Sequence, residues 1–140
     1  IADGGDGTGH LIVEKCEGVW HEYEVHDPLG RLIKASLGIL DHGKTAVIEM
    51  ADASGIRLLN PEERSPLMAS SFGTGELVRF ALDRQVEKII IGLGGSATVD
   101  GGIGILSALG MKFRDADGLE LAALPLNMSR FRQIDSAAFG

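Results

Sequence analysis

The stretch EKIIIGLGGSATVDGGIGILSALG, residues 87–110, decides the fold class of this chain. Its first part, residues 88–93, is a short apolar run rich in isoleucine that ends at a pair of glycines, which is typical of a buried strand entering a loop. Apolar residues then recur at helical spacing from Ile103, with Asp100 in the opening turn and Gly110 after the last of them. The stretch therefore predicts a strand, a glycine-rich loop and a helix with an acidic start and a glycine stop.

The predicted loop combines glycines with hydroxyl side chains: Gly94, Gly95, Ser96 and Thr98. Backbone N–H groups at a helix N-terminus have no intrahelical partner and sit at the positive end of the helix dipole, so this loop suits a phosphate. The sequence has no GxxxxGK[ST] motif, and GLGGSA is only a distorted form of GxGxxG. On spacing alone, the alternative that the glycines only let the helix pack closely on the sheet stays equally open.

Length and composition indicate one soluble α/β domain over residues 1–140. The chain has 44% hydrophobic and 24% charged residues, and no apolar run approaches the length of a membrane span. A net charge of −7 argues against nucleic-acid or anionic-membrane partners, so an anionic substrate must be attracted by local groups. The single cysteine, Cys16, cannot form an internal disulfide, which favours a reducing, cytoplasmic location.

Three further segments are predicted to be successive strands. Apolar and polar residues alternate from Trp20 to Val25, a turn follows at residues 27–30, and residues 31–40 and 44–50 continue the strand pattern. Short connections between them suggest an antiparallel or mixed unit beside the later strand–loop–helix segment. The four histidines lack metal-ligand spacing and are interpreted as surface or core residues.

A second glycine- and hydroxyl-rich stretch, SSFGTGE at residues 70–76, is predicted to be a loop that enters a helix. It contains Gly73, Thr74 and Gly75, and a core-facing apolar stripe follows it. Helix capping alone could explain these residue types. Two such loops, each at a helix start, could however converge on one anion.

Other charged residues fall where a ligand could bind. The block DGGDGT at residues 3–8 places Asp3 and Asp6 in a loop that can bring both carboxylates near one cation or one polar substrate; a flexible turn is the alternative. Glu49, Asp52 and Ser54 lie where a predicted strand gives way to a loop or short helix, and Glu49 faces either a cleft or solvent. Arg64 could bind the carboxylate of a small acid.

Four of these blocks, in order, resemble the bacterial type of glycerate kinase. They are ADGGDGT at 2–8, IEMADASGI at 48–56, SFGTGELV at 71–78 and GGSATVDGG at 94–102. The resemblance spans nearly the whole chain. It implies a two-domain α/β enzyme that phosphorylates D-glycerate with ATP and Mg²⁺.

The resemblance also implies roles for individual residues. The catalytic and magnesium candidates are Asp3, Asp6 and Asp100, in no settled order. The candidates for phosphate and substrate binding are Gly94, Gly95, Ser96 and Thr98, helped by Gly73, Thr74, Gly75 and Arg64. Two positions depart from the family pattern, because Ser65 and Val99 stand where the family usually has asparagine.

The family enzymes are more than twice this length, and this sequence begins inside a motif. We therefore expect a fragment that holds the inserted or second domain with adjoining active-site segments, and that has little kinase activity alone. Two other classes remain open, a non-catalytic module that binds a small organic acid and a structural α/β domain. Titration with glycerate and with magnesium nucleotide separates the three.

Overall fold

The structure of the chain is a computed structural model that describes residues 7–139. The helices are α1 (Thr8–Lys15), α2 (Met50–Ser54), α3 (Phe72–Asp83) and α4 (Ile103–Ala108). The strands are β1 (Val19–His26), β2 (Leu32–Leu40), β3 (Thr45–Glu49), β4 (Lys88–Gly92), β5 (Lys112–Arg114), β6 (Glu120–Leu121) and β7 (Gln133–Asp135). Short 3-10 turns lie at Asp41–Gly43, Ile56–Leu58, Pro61–Glu63 and Pro125–Arg130.

The main sheet is mixed, with the strand order β1-β2-β3-β4. The pairs β1/β2 and β2/β3 are antiparallel, and β3/β4 is parallel. The α/β class, with three successive strands joined to a strand–loop–helix unit, is therefore confirmed. Because Glu49 pairs with Gly92 in the last register position of the parallel ladder, the loops that follow β3 and β4 leave the same edge of the sheet.

The sheet is covered on both faces. On one face, Leu37 and Ile48 pack with Leu77 of α3 in the larger buried cluster. On the other face, Val13 of α1 forms a smaller cluster with Val47 of β3. Side chains alternate across a strand, so β3 contributes to both clusters and is buried along its whole length.

The turn between β1 and β2 supports the start of α3. Asp27 Oδ1 accepts hydrogen bonds from the N–H groups of Leu29 and Arg31, and Arg31 Nε donates to Asp27 Oδ2 at 2.5 Å. Burial disfavours the charge of Asp27, but these hydrogen bonds outweigh it and lower the pKa of the carboxyl. The N–H of Ser70 donates to the carbonyl of Pro28, which fixes the chain just before α3 on this turn.

The sequence of residues 124–134 would allow one more helix after Pro125, but no α-helix forms there. The chain forms the 3-10 turn Pro125–Arg130 and then β7, which pairs with β5 in a three-stranded sheet of order β6-β5-β7. Ile134 pairs with Phe113, and the Phe113 and Phe131 rings stack with centroids 4.9 Å apart. Tertiary pairing thus overrides the local helical pattern. Within residues 7–139, no helix is both long and apolar enough to cross a bilayer.

Candidate active site at the carboxyl edge of the parallel strands

Glu49, the last residue of β3, holds the start of α1. Its Oε1 accepts a hydrogen bond from the N–H of Gly9 at 2.5 Å and its Oε2 accepts one from Gly7 at 3.1 Å. The side chain is only 3% exposed, and a carboxylate at a helix N-terminus is favoured by the helix dipole. The end of the first sequence block is therefore attached to the carboxyl edge of the sheet.

Position 9 has no room for a side chain. A Cβ atom there would lie 2.8 Å from Glu49 Cγ. Asp3 and Asp6 precede this contact in the chain but lie outside the described residues. Their catalytic and magnesium roles stay predictions.

The loop after β4 runs alongside the segment that follows α2. Gly55 and Ser96 form an isolated antiparallel bridge. The N–H of Ala97 donates to the carbonyl of Ser54 at 2.8 Å, and the N–H of Ile56 donates to the carbonyl of Gly95 at 2.9 Å. The second and fourth sequence blocks therefore meet at this edge.

The loop itself remains accessible to a ligand. Gly95 is exposed and has φ +72°, a left-handed conformation that glycine adopts readily. Ser96 and Thr98 are half-buried, and their hydroxyl groups lie 3.0 Å apart. Val99 is 67% exposed at the rim. The four predicted phosphate-binding residues Gly94, Gly95, Ser96 and Thr98 are thus placed together on one exposed or half-buried loop.

Residues 70–76 were predicted to be a loop that enters a helix; the helix is present, but the loop prediction is wrong for residues 72–76, which are already helical. Helix α3 begins at Phe72, so Gly73, Thr74 and Gly75 lie in its first turn and are all buried. A Cβ on Gly73 would lie 1.8 Å from the carbonyl oxygen of His26. These residues serve close packing, which a composition pattern does not distinguish from a binding loop.

The other two residues of this group also face protein. A Cβ on Gly75 would lie 2.7 Å from atoms of Ile105 and Ala108 in α4. The hydroxyls of Thr74 and Ser54 lie 2.8 Å apart, in hydrogen-bond contact and fully buried. These groups are buried in the α3 packing, and the anion contact predicted for them stays a prediction.

Asp100 joins two segments and is 2% exposed. Its Oδ2 accepts hydrogen bonds from the N–H and the hydroxyl of Ser71, both at 2.8 Å, and from the N–H of Gly104. Its Oδ1 accepts one from the N–H of Gly102. Helix α4 begins only at Ile103, so Asp100 precedes the helix instead of lying in its first turn. Four donors occupy the carboxylate, and its catalytic and magnesium roles remain untested predictions.

Arg64 lies near the exposed loop. It lines a cavity of about 90 Å³ together with Ser65, Ala97 and Ile56. Among residues 7–139, no carboxylate lies within ion-pair distance of its guanidinium. Arg64 is therefore available to an anion at the edge of the sheet where the loop after β4 lies.

One cluster was not predicted as a site from the sequence. His10, Glu49 and Asp52 each present one potential ligand atom, and these atoms lie within 4.8 Å of one another. Asp52 also accepts a hydrogen bond from Arg57. Carboxylate oxygens suit Mg²⁺, whereas imidazole nitrogen suits transition metals. The contact between α1 and the end of β3 brings His10 close to Glu49 and Asp52. The spacing of these residues along the chain does not predict this cluster.

Known proteins are similar to this chain in sequence. The sequence profile of the family described as "Glycerate kinase family" matches residues 1–139. A glycerate kinase from Haemophilus influenzae is 53% identical over 116 residues, which are 83% of this chain and 31% of that protein. A glycerate 2-kinase from Escherichia coli is 46% identical over 135 residues, which are 96% of this chain and 35% of that protein.

A solved structure is similar as well. The crystal structure of a protein described as a glycerate kinase 2 from Salmonella typhimurium LT2 superimposes with a TM-score of 0.93 at 45% identity. The match covers 99% of this chain and 38% of that chain. This chain thus spans about a third of the length of the relatives it matches. Both the sequence blocks and the fold that carries them show that the chain belongs to the glycerate kinase family.

Proposed function

We propose that this chain supplies part of the active site of an enzyme that transfers a phosphoryl group from ATP to D-glycerate. One observation carries the proposal: hydrogen bonds connect all four sequence blocks at one edge of the sheet. Glu49 holds Gly7, Ser54 contacts both Ala97 and Thr74, and Asp100 holds Ser71. Residues from separate parts of the chain are brought together where α/β proteins bind ligands.

Phosphoryl transfer needs positioning and charge neutralisation more than covalent chemistry by the protein. We place the phosphates of the nucleotide against Gly94, Gly95, Ser96 and Thr98, because this loop is accessible and carries backbone and hydroxyl donors. Arg64 adds a positive charge beside Ala97 in the same loop. Gly73 and Gly75 hold α3 against its neighbours, and Thr74 contacts Ser54, whose carbonyl accepts a hydrogen bond from Ala97 of the loop.

Magnesium, when bound with ATP, neutralises charge on the phosphates. Carboxylates near the first block fit this ion, and we propose Asp3 and Asp6 as its ligands. Glu49 and Asp52 each present a carboxylate oxygen beside the start of α1, and these oxygens lie within 4.8 Å of each other. Asp100 acts as a positioning residue in this proposal, because four hydrogen bonds already occupy it.

We infer that the chain alone has little kinase activity, since the relatives are about three times longer. Its partners are small molecules, D-glycerate and ATP, and its location is the cytoplasm. Calorimetric titration of the chain with D-glycerate and with Mg-ATP tests the proposal. Saturable binding of at least one of them is expected. A folded chain that binds neither would contradict it, and binding of glycerate alone would favour a non-catalytic acid-binding module.

A further inference from the structure

A second cavity lies on the other side of the 3-10 turn Ile56–Leu58. Its volume is about 470 Å³, and its polar lining residues are His10, Lys34, Ser36, Asp52 and Arg57. Within the turn, Ile56 faces the small cavity beside Arg64, whereas Arg57 and Leu58 face this larger one. One turn therefore separates two cavities at the carboxyl edge of β3.

The larger cavity presents two cationic side chains, each of which forms an ion pair with a carboxylate. These cations are Lys34 and Arg57, His10 lines the cavity beside them, and Asp52 is the one acid among the described residues that line it. Arg57 donates through Nη2 to Asp52 and through Nε to the carbonyl of Ala51. Its Nη1 has no partner among the described residues, so one arm of the guanidinium remains available.

Lys34 contributes differently from Arg57. Its ammonium group donates to Glu22 Oε1 at 2.6 Å, and both side chains are exposed, so this ion pair is solvated and weak. The hydrogen bond that Lys34 donates to Glu22 raises the pKa of Lys34 above its usual value, so the ammonium stays charged at neutral pH. A ligand carboxylate can therefore share this cation at little cost.

We propose that this cavity is the binding site for the hydroxy-acid acceptor, with Arg57 and Lys34 binding the carboxylate of the acid. Charge-assisted hydrogen bonds from a planar guanidinium match a carboxylate well. A hydroxyl group of the same small molecule then donates a hydrogen bond to Asp52. This inference rests on the proposed function. It assigns the acceptor acid to the cavity on the Arg57 side of the 3-10 turn and the phosphates to the Arg64 side.

The alternative is that Arg57–Asp52 and Lys34–Glu22 are surface ion pairs with no ligand. Calorimetric titration with D-glycerate at pH 7 separates the two, using Arg57→Met and Lys34→Met. Arg57→Met should weaken binding about tenfold or more, because a charge-assisted hydrogen bond is lost. Lys34→Met should weaken it less. Lys44→Met is the matched control, because Lys44 forms a similarly exposed ion pair with Glu87, and it should leave the affinity unchanged.

Further measurements keep failure of the inference distinct from failure of the proposed function. Glycerol, which lacks the carboxylate, should bind far more weakly than glycerate. If Arg57→Met unfolds, the double variant Asp52→Asn with Arg57→Met removes the pair without leaving an unpaired charge, and it should also lose affinity. Glycerate binding that Arg57→Met and Lys34→Met leave unchanged overturns this inference alone. So does a chain that binds Mg-ATP but not glycerate, whereas loss of both ligands from the unmodified chain overturns the proposed function itself.

Discussion

Two stretches of this chain have nearly the same composition and opposite surroundings. Residues 94–98 and 70–75 are both short, rich in glycine and rich in hydroxyls. The first is a loop with exposed and half-buried residues, and the second enters α3 and buries its glycines against other elements. A composition rich in glycine therefore predicts that another group approaches the backbone closely. It does not predict whether that group belongs to a ligand or to the protein.

The surroundings of each stretch explain the difference. Residues 94–98 follow the end of β4, at an edge where the chain turns away from the sheet. Residues 70–75 are fixed on the β1–β2 turn by the hydrogen bond from Ser70 to Pro28, so the helix starts inside the packed interior. The predictions below test this contrast, beginning with the largest expected change in stability.

Replacing Gly73 by alanine should have the largest effect. The added Cβ would meet the carbonyl oxygen of His26 at 1.8 Å, and backbone cannot move aside as a side chain can. We expect the free energy of unfolding to fall by about 3 kcal/mol or more in chemical denaturation. Gly43→Ala is the control. Its φ is +96° but nothing lies within 4 Å, so only about 1 kcal/mol of backbone strain is expected. Equal losses in the two variants would contradict close packing at Gly73.

Asp100→Asn should come next. The amide cannot accept all four hydrogen bonds that the carboxylate accepts, so buried donors are left unpaired and about 2 kcal/mol of unfolding free energy is lost. Asp117→Asn is the control, because Asp117 is exposed, and its stability should change by less than about 0.5 kcal/mol. If Asp100→Asn is as stable as the unmodified chain but no longer binds Mg-ATP, Asp100 is a ligand-binding residue and not a tie between segments.

A smaller effect is expected from Thr74→Val, which keeps the shape and removes the hydroxyl. Ser54 then loses its partner in a fully buried pair, at a cost of about 1 kcal/mol. A double-mutant cycle with Ser54→Ala should recover part of that loss, because both polar groups are then absent. Nucleotide affinity should not change. A large drop in affinity without a change in stability would restore the phosphate role predicted for Thr74.

Ser96→Ala should change stability least, within about 0.5 kcal/mol, since Ser96 is half-buried on a loop. Its affinity for Mg-ATP should nevertheless fall about tenfold, because a hydroxyl donor to phosphate is lost. Ser129→Ala, on the exposed surface of the C-terminal part, serves as the control for both measurements. Unchanged affinity would mean that the hydroxyl of Ser96 serves only its contact with Thr98.

Much of the fold could be predicted because its signals are local. Alternating residues predicted β1 and the isoleucine run predicted β4, and the turn after β1 follows from its Asp-Pro-Leu-Gly sequence. The start of α3 and the strand β7 could not be predicted in this way. Gly73 packs against the carbonyl of His26 at the start of α3, and Ile134 of β7 pairs with Phe113. Both depend on residues distant in sequence.

The candidate site also combines residues that a local pattern predicts with residues that only tertiary contacts bring together. The loop after β4 was predicted, since glycines and hydroxyls at the end of a strand are a local pattern. The environment of Asp100 was not, because its partner Ser71 comes from another segment. Nor was the proximity of His10 to Asp52, which depends on how α1 crosses the sheet. A sequence pattern indicates which residues are unusual, and tertiary contacts decide what they touch.

The contact between Gly9 and Glu49 has a consequence for sequence variation. The two positions are interlocked, because the carboxylate reaches the start of α1 only if residue 9 has no side chain. A bulkier residue at 9 requires a shorter residue at 49, and the loss of either should release the first block from the sheet. Substitutions at these two positions should therefore be coupled, because each removes the same pair of hydrogen bonds, and their effects on stability should not add.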